Sequence, residues 1–513
     1  MIRAFLAAFL CAAPAAAQTT LTIAFAAEAT TLDPIKYSAG ADSYGMSQIF
    51  EQLLRPLPPD WKIGSWLAES WSIGGTADRP IIEVKIRPGV TFHNGDPLTA
   101  DDFAYAYSLQ RDPKESHFPH LWTAVERFEI VSPLQFRLHL SRPEGTFVID
   151  DLRLWAVPRR YSETVGRDEF GRHPIGTGPW KFASRNIKED LTLEAYDGYW
   201  NKTQRPGVGR LVIKTIPEDL TRVAAFRTGA VDLIDSVPVA MRDDIRKMQG
   251  VKTATLNTGN NIYFNFATHL PNSPFRDLRV RQAAAMAVDV DTIIKKVLFG
   301  QGERFTQLGL GTLGYNPDLK PMPYDPKRAR ALLAEAGFPQ GFDVPCYNMT
   351  TPREPNIKEL GEAVFAYLGA VGIRCKLRGL EYNAWLTMIR RVPNGRGMDG
   401  IINGMYGHGI PGDPATAWAQ TLHSYEPGRG WGASSYSTDP EVDGLIEAQQ
   451  SEMNLAKRET IIRRIARLKQ ERVLGGLTIY RPLQTFAWRD KVAFTPWAMP
   501  GIWHQMQEIS IVR

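Results

Sequence analysis

A mixed α/β fold is predicted by three features of this 513-residue chain. Short alternating runs that suit half-buried strands recur along it, amphipathic stretches of helical period lie between them, and neither a repeat nor a low-complexity linker interrupts them. The plainest strands are Leu21-Thr22-Ile23-Ala24-Phe25, Ile82-Glu83-Val84-Lys85-Ile86 and Phe136-Arg137-Leu138-His139-Leu140. Thirteen Trp and seventeen Tyr, many near Gly and Pro, suit a protein that lines a cleft with rigid amphipathic rings, and suit an ordinary core as well.

The clearest local architecture lies at 325–378. Asp325 is placed to cap a helix whose first position is Pro326, and KRARALLAEAG runs from there to a stop at Gly337. A strand Phe342–Tyr347 follows, then a helix with Ile357, Leu360, Val364 and Leu368 on one face, closed at Gly372, then the alternating strand Ile373–Leu377. This is a strand, a crossover helix and a parallel strand, so a ligand-facing loop is expected after the first strand, at Met349-Thr350-Thr351-Pro352-Arg353.

The opening MIRAFLAAFLCAAPAAAQTT carries a positive Arg3, an apolar run from Ala4 to Ala13 and the small residues Ala15-Ala16-Ala17. That is the layout of a cleavable secretory signal, with cleavage near Ala17/Gln18 and a periplasmic product expected. The apolar run is about half of the roughly 20 residues needed to span a bilayer. Cys11 follows Phe9 and Leu10, where a lipid-modified cysteine would follow small residues, so a free protein is expected. Cys346 and Cys375 then remain, on neighbouring predicted strands, and an oxidising compartment would permit a disulfide between them if their Cβ atoms face each other.

Sixty basic and 55 acidic residues leave a formal charge of +5, too nearly balanced for a nucleic-acid partner. The most basic segment, 457–472, sets Ile461, Ile462, Ile465 and Leu468 at helical spacing, so its charges read as a solvated helix face.

Catalytic chemistry finds little support. There is no GxxxxGK[ST], HExxH, CxxC or GxSxG. Gly176-Thr177-Gly178-Pro179 reads as a tight turn, because Pro179 offers no N–H and no Lys follows in the place a phosphate loop needs. His117 and His120 are three apart but separated by Pro119, and His93 in TFHNGDPLTADD reads as a residue hydrogen-bonded within its turn. No catalytic residue, metal site or cofactor is assigned. What survives is a set of ligand-binding candidates. Arg353 sits on the loop at a strand's carboxyl end, where a guanidinium can grip a carboxylate bidentately, although an interlobe or surface salt bridge is an equal alternative. The glycine-rich loop 405–414 brings backbone close to whatever lies opposite and offers Tyr406 and His408 as flat faces.

Eight segments in order resemble the peptide/nickel class of periplasmic solute-binding proteins of ABC importers (solute-binding family 5, cluster C). They are Leu32-Asp33-Pro34 with YGMSQIFEQLLRPL; WLAESW; IRPGVTFHNGDPLTADDFAYAY; PIGTGPWKF; GAVDLI; YFNF with PFRDLRVRQAAAMAVDVDTI; YDPKRARALLAEAGFPQGFDV; and YLGAVGIRCKL. The resemblance implies a two-lobed periplasmic-binding-protein fold (type II) with an additional domain inserted into lobe I. Mapped onto this chain, lobe I is 18–56, 174–267 and 483–513, the inserted domain 57–173, and lobe II 268–482. Crossings near Tyr263-Phe264-Asn265-Phe266 and Tyr480-Arg481-Pro482 would form the hinge, and the closed, liganded, monomeric protein would be presented to an inner-membrane permease.

The resemblance also places Tyr37 and Ser38 on the lobe I side of the cleft and Arg353 on the ligand's carboxylate. It departs at Ile410, three positions before Asp413, where family members commonly carry an Asp that holds the ligand's α-amino group. A buried ammonium without a counter-charge costs several kcal/mol. Unless Asp413 takes over that role, the ligand is blocked, neutral, anionic or sugar-like. The expectation is therefore a carrier for a small peptide or an amino-acid-derived, opine-like molecule, not an enzyme. A nickel or metallophore carrier with His408 as ligand, or an oligosaccharide carrier, stays open as the alternative; a periplasmic hydrolase or a chaperone is a remote one.

Overall fold

The computed structural model describes residues 19–512 outside 38–39, 58–61, 118, 148–153, 258–259, 307, 310–311, 351–355, 382–383, 386–387, 389–397, 407–413, 415–417, 420, 425–438 and 497–505. The predicted strands form with their ends moved by a residue or two, as Thr20–Phe25, Pro80–Ile86 and Gln135–Leu140. In the last, Phe136, Leu138 and Leu140 are buried while the residues between them are half-exposed, the pattern of a sheet with one dry face.

The unit at 325–378 forms as its caps dictate. The Asp325 carboxylate accepts the Arg328 N–H at 2.9 Å and opens the helix Pro326–Glu335. Gly372, at φ +109°, closes the helix Ile357–Val371. The strands Phe342–Met349 and Ile373–Leu380 pair in parallel along their whole length, Phe342 opposite Ile373 and Met349 opposite Leu380. Cys346 and Cys375 are joined by a disulfide across them, with Cα atoms 5.3 Å apart.

These strands belong to one 12-stranded sheet that runs through both main cores. At one end lie Ile373–Leu380, Phe342–Met349, Ile401–Tyr406 and Asn261–Phe266. At the other lie Leu233–Ile234, Thr20–Phe25, Arg210–Thr215, Asp190–Ala195 and Trp180–Asn186. The 13-residue strand Leu477–Arg489 joins them. Its first part, Leu477–Pro482, pairs with Asn261–Phe266 and Gly302–Arg304; its second, Leu483–Arg489, pairs with Val251–Asn257 and Leu233–Ile234. The seam between the halves therefore falls at Pro482 and Leu483, beside the expected crossing. On the partner segment it falls at 257–261, a few residues ahead of Tyr263–Phe266, because Ile262, Phe264 and Phe266 are all buried in the second core.

A separate four-stranded antiparallel sheet (Ala68–Gly75, Pro80–Ile86, Gln135–Leu140, Val125–Ser132) lies inside 57–173. Its buried Ile82, Val84, Phe136 and Leu138 share one continuous core with Leu21, Ile23, Leu193 and Leu211 of the large sheet. Glu51 is the polar anchor of this junction. Its buried carboxylate accepts from Trp66 Nε1 (2.6 Å), Tyr199 OH (2.8 Å), Thr177 Oγ1 (2.9 Å) and Trp200 Nε1 (2.9 Å). Burial pushes its pKa up and those donors pull it back.

Two sequence expectations change. His93 does not bond within its turn. Its Nε2 lies 2.9 Å from Gly178 O, and its Nδ1 accepts the Gly176 N–H at 3.3 Å, so the ring ties its turn to the Gly176–Pro179 turn. The helix Leu455–Glu471 does bury Ile462, Ile465 and Leu468, but Arg458 is buried as well. Its guanidinium donates to Gln449 O (2.9 Å) and Gln449 Oε1 (2.7 Å) of the preceding helix, Pro440–Ser451.

Burial lowers the His93 pKa to about 4 from an ordinary value of 6.5. A folded-state pKa below the unfolded one means that stability is full above pH 6.5 and is lost as pH falls from there toward 4. A His93→Gln variant should therefore lose less stability than wild type between pH 7 and pH 4, by at most about 3 kcal/mol in parallel urea titrations.

Candidate functional site

Registers along the sheet show where both halves point their strand ends. In the first half, Leu233 lies opposite Trp488 and Ile234 opposite Ala487, so this strand and its parallel neighbour Thr20–Phe25 run toward the seam at Leu483. In the second half, Tyr406 lies opposite Asn261, so Ile401–Tyr406 and its parallel neighbour Phe342–Met349 also end at the seam. Four parallel strands from two cores thus turn their carboxyl ends to one line, the place where open α/β sheets bind ligands.

On the first side, the loop after Thr20–Phe25 is held by two buried carboxylates. Asp42 accepts from the Thr30 N–H (2.6 Å), the Thr30 hydroxyl (2.8 Å) and the Thr31 N–H (3.3 Å). Asp33 accepts from the Ile35 N–H (2.9 Å) and pairs with Arg167; burial raises its pKa, and Arg167 opposes that shift. This pinned loop carries Tyr37, half-buried against the first core. Ser38 lies outside the described residues.

On the second side, a buried pair of amides joins the strands Phe342–Met349 and Ile401–Tyr406. Asn403 Oδ1 accepts the Met349 N–H (2.8 Å), and its Nδ2 donates to Asn348 Oδ1 (2.7 Å), while Asn348 Nδ2 donates to Lys358 O (2.9 Å). Trp385 Nε1 closes the group by donating to Asn403 O at 2.7 Å. Gly361 is required beside it, since a Cβ there would lie 2.0 Å from Asn348 Oδ1. Tyr406 ends its strand at the seam, opposite Asn261. Arg353, His408, Ile410 and Asp413 lie outside the described residues.

Sequence reasoning passed over residues at the seam itself. Asp235 follows Ile234 directly and is 5% exposed. Burial raises its pKa to about 7 despite the attraction of Arg222, and Gln484 Nε2 stands 3.5 Å from its Oδ2. Tyr44, stacked on Phe25 with ring centroids 4.1 Å apart, has its hydroxyl pKa raised by burial and by the Asp235 charge. The signal was present in Val-Asp-Leu-Ile-Asp-Ser, where an acid ends a short apolar strand, but a turn would account for it equally well. Among the described residues no group of three or more His, Cys, Asp or Glu is placed to hold a metal ion.

Replacing Asn403 with leucine, which is close to it in size, strips the Met349 N–H of its acceptor and Asn348 Oδ1 of its donor. The expected cost is about 2–4 kcal/mol of unfolding free energy in urea.

Residues 62–426 match the family of bacterial extracellular solute-binding proteins, family 5 Middle. The heme-binding protein A of Haemophilus influenzae is 29% identical over 409 residues, 72% of this chain and 71% of that protein. The dipeptide-binding protein of Escherichia coli is 27% identical over 360 residues, 64% of this chain and 66% of that protein. Among solved structures, the binding protein MoaA in complex with mannopinic acid, from A. tumefacien R10, superposes with a TM-score of 0.71 at 24% identity, covering 97% of this chain and all of the other.

Proposed function

We propose, since this chain belongs to the bacterial extracellular solute-binding proteins of family 5, that it serves an ABC import system by capturing a small amino-acid-derived molecule that bears a carboxylate. The observation that carries the reading is the convergence of four parallel strand ends, two from each core, on a seam crossed by the strand Leu477–Arg489 and the segment 251–266. Two adjacent crossings permit the halves to rotate about the seam, and a ligand that touches both sets of loops favours the closed arrangement.

Several features support a small polar ligand. The loops on both sides are rooted in fully bonded polar groups, Asp33 and Asp42 on one and Asn348 with Asn403 on the other. Such rooting holds binding residues in place at little entropic cost on association. In our reading Tyr37 and Ser38 face the ligand from the first side, and Arg353 holds its carboxylate from the second. Tyr406, His408 and the backbone up to Asp413 cover the other end, with Ile410 as an apolar contact. The relatives differ in what their names say they bind, heme and a dipeptide, and the MoaA structure holds mannopinic acid. That spread fits a scaffold whose ligand is set by loop residues, and an amino-acid-derived acid is common ground to the dipeptide and the mannopinic acid. Export through the N-terminal signal, cleavage near Ala17/Gln18, a monomeric state, the absence of enzymatic turnover and delivery to an inner-membrane permease belong to the same proposal. The boundaries are 18–56 with 174–267 and 483–513 for lobe I, 57–173 for the inserted domain and 268–482 for lobe II; the pairing of 261–266 moves the first-to-second passage slightly earlier.

A thermal-shift screen of the mature protein against amino-acid-derived acids, neutral oligosaccharides, hemin and nickel–histidine tests this reading. Carboxylates should raise the melting temperature, and Arg353→Ala should weaken the responsive ligand by about ten- to hundredfold. Stabilisation by oligosaccharides or by nickel–histidine alone, with no response to any carboxylate, removes the ligand assignment.

A further inference from the structure

Away from the seam, the two halves touch at a second place. On one side is the turn 144–147, which follows the strand Gln135–Leu140 and is fixed to the first core. Phe147 is fully buried in that core, Thr146 Oγ1 donates to Glu144 Oε1 (2.8 Å), and the Phe147 N–H closes the turn on Glu144 O (3.1 Å). Opposite it stands the link between the helices Pro440–Ser451 and Leu455–Glu471. Asn454 stiffens this link. Its N–H donates to Glu452 Oε1 (2.7 Å), and its Oδ1 caps the second helix at the Ala456 and Lys457 N–H groups, each at 3.1 Å. Arg281, on the helix Leu278–Ala287 of the second core, ties the helix pair to that core by donating to Arg472 O at 2.9 Å.

The two surfaces meet closely. The Gly145 N–H donates to Gln450 O at 2.5 Å. Gly145 is buried, and a Cβ on it would lie 2.3 Å from Glu452 O and 3.0 Å from Arg458 Cδ, so the backbones approach this closely only without a side chain there. The Arg458 stem has little room to withdraw, because its guanidinium is anchored on Gln449. Met453, from the same link, packs against the first core.

We propose that this contact is a clasp, which holds the two halves together on the ligand side of the seam and raises the affinity for the captured molecule through residues that the molecule does not touch. The proposal rests on the solute-carrier reading above, in which the halves rotate about the seam. Two observations put the clasp on the side of the ligand loops. In the first half, Arg167 pairs with Asp33 and Asp168 with Lys36, on the loop of Tyr37. Both belong to the helix Arg167–Arg172, whose Phe170 shares the first core with Phe147. In the second half, Trp418 and Leu422 follow the loop 405–414 in the chain and share a core with Val442 and Ile446 of the helix Pro440–Ser451. The Ser424 N–H adds a hydrogen bond to Asp443 Oδ1 of that helix at 2.8 Å.

A rotation that parts the two sets of loops draws Gly145 away from Gln450 and Met453 away from the first core. A ligand that touches both sets binds in proportion to the fraction of molecules already clasped. The clasp therefore acts on every ligand alike, whereas a side chain such as Arg353 acts on the ligand whose group it holds.

The test is small-angle X-ray scattering of the mature protein, with isothermal titration of Ala-Leu and mannopinic acid. Gly145→Ala and Met453→Ser should each enlarge the radius of gyration over wild type while the far-UV circular dichroism stays that of wild type. Either compound that binds wild type should bind each variant about three- to thirtyfold more weakly. Gly444→Ala, in the helix Pro440–Ser451 where a Cβ meets nothing within 4 Å, should change neither the radius nor the affinity. A wild-type radius in both Gly145→Ala and Met453→Ser overturns the clasp. Loss of the wild-type circular dichroism in both makes the contact part of the fold and overturns it also. A larger radius with unchanged affinity overturns its link to binding. Absence of binding by either compound to wild type overturns the ligand class proposed above, and the radii then uphold or overturn the clasp by themselves.

Discussion

One strand makes the rest of this structure possible. Leu477–Arg489 gives its first part to one core and its second to the other, so the two halves share a continuous hydrogen-bonded ladder which, among the described residues, crosses between them on this strand and on the segment 251–266. A ladder of this kind fixes which strands sit beside which, because a slip of one residue would turn every side chain to the wrong face. It also fixes direction. Once Leu477–Arg489 runs antiparallel to Leu233–Ile234 in one half and to Asn261–Phe266 in the other, the parallel strands of both halves end at the same seam. The loops that begin there inherit their position from backbone pairing, and their side chains are free to differ without disturbing it.

The flanking regions are held by buried polar anchors. Glu51 gathers two indoles, a phenol and a hydroxyl from segments as much as 149 positions away in sequence. These four donors meet the oxygens of a buried carboxyl group and oppose the upward push that burial gives its pKa. Arg458 is held likewise by the Gln449 carbonyl and side chain, and the neighbouring Gln450 O accepts the Gly145 N–H at 2.5 Å. That last contact links Gly145 to the helix Pro440–Ser451, away from the seam. Asp235 differs from both, since its neighbours leave one oxygen unmet.

Local elements were the most legible part of the sequence. Asp325-Pro326 and Gly372 mark helix ends by side-chain chemistry that acts within a few residues, and alternation in Phe136–Leu140 marks a half-buried strand, so each could be placed within a residue or two. Partnerships over long separations were not legible. His93 resembled a turn residue because its partners, Gly176 and Gly178, lie more than 80 positions away. Arg458 resembled one more charge on a basic helix because nothing local shows that Gln449 covers it. The site divides in the same way. Strand and turn patterns pointed to Arg353 and to Tyr406–Asp413, and the family resemblance to Tyr37, whereas Asp235 becomes conspicuous only when burial exposes its unmet oxygen. A carboxylate is noticed in a sequence by its charge, and its meaning depends on which donors fail to reach it.

Native mass spectrometry of the mature protein purified from an exporting cell tests the central claim, that this chain carries one small amino-acid-derived acid between its two halves. The account predicts a single non-covalent adduct per chain whose released molecule contains a carboxylate. A neutral glycan, or a mixture of unfolded polypeptides in its place, would contradict it.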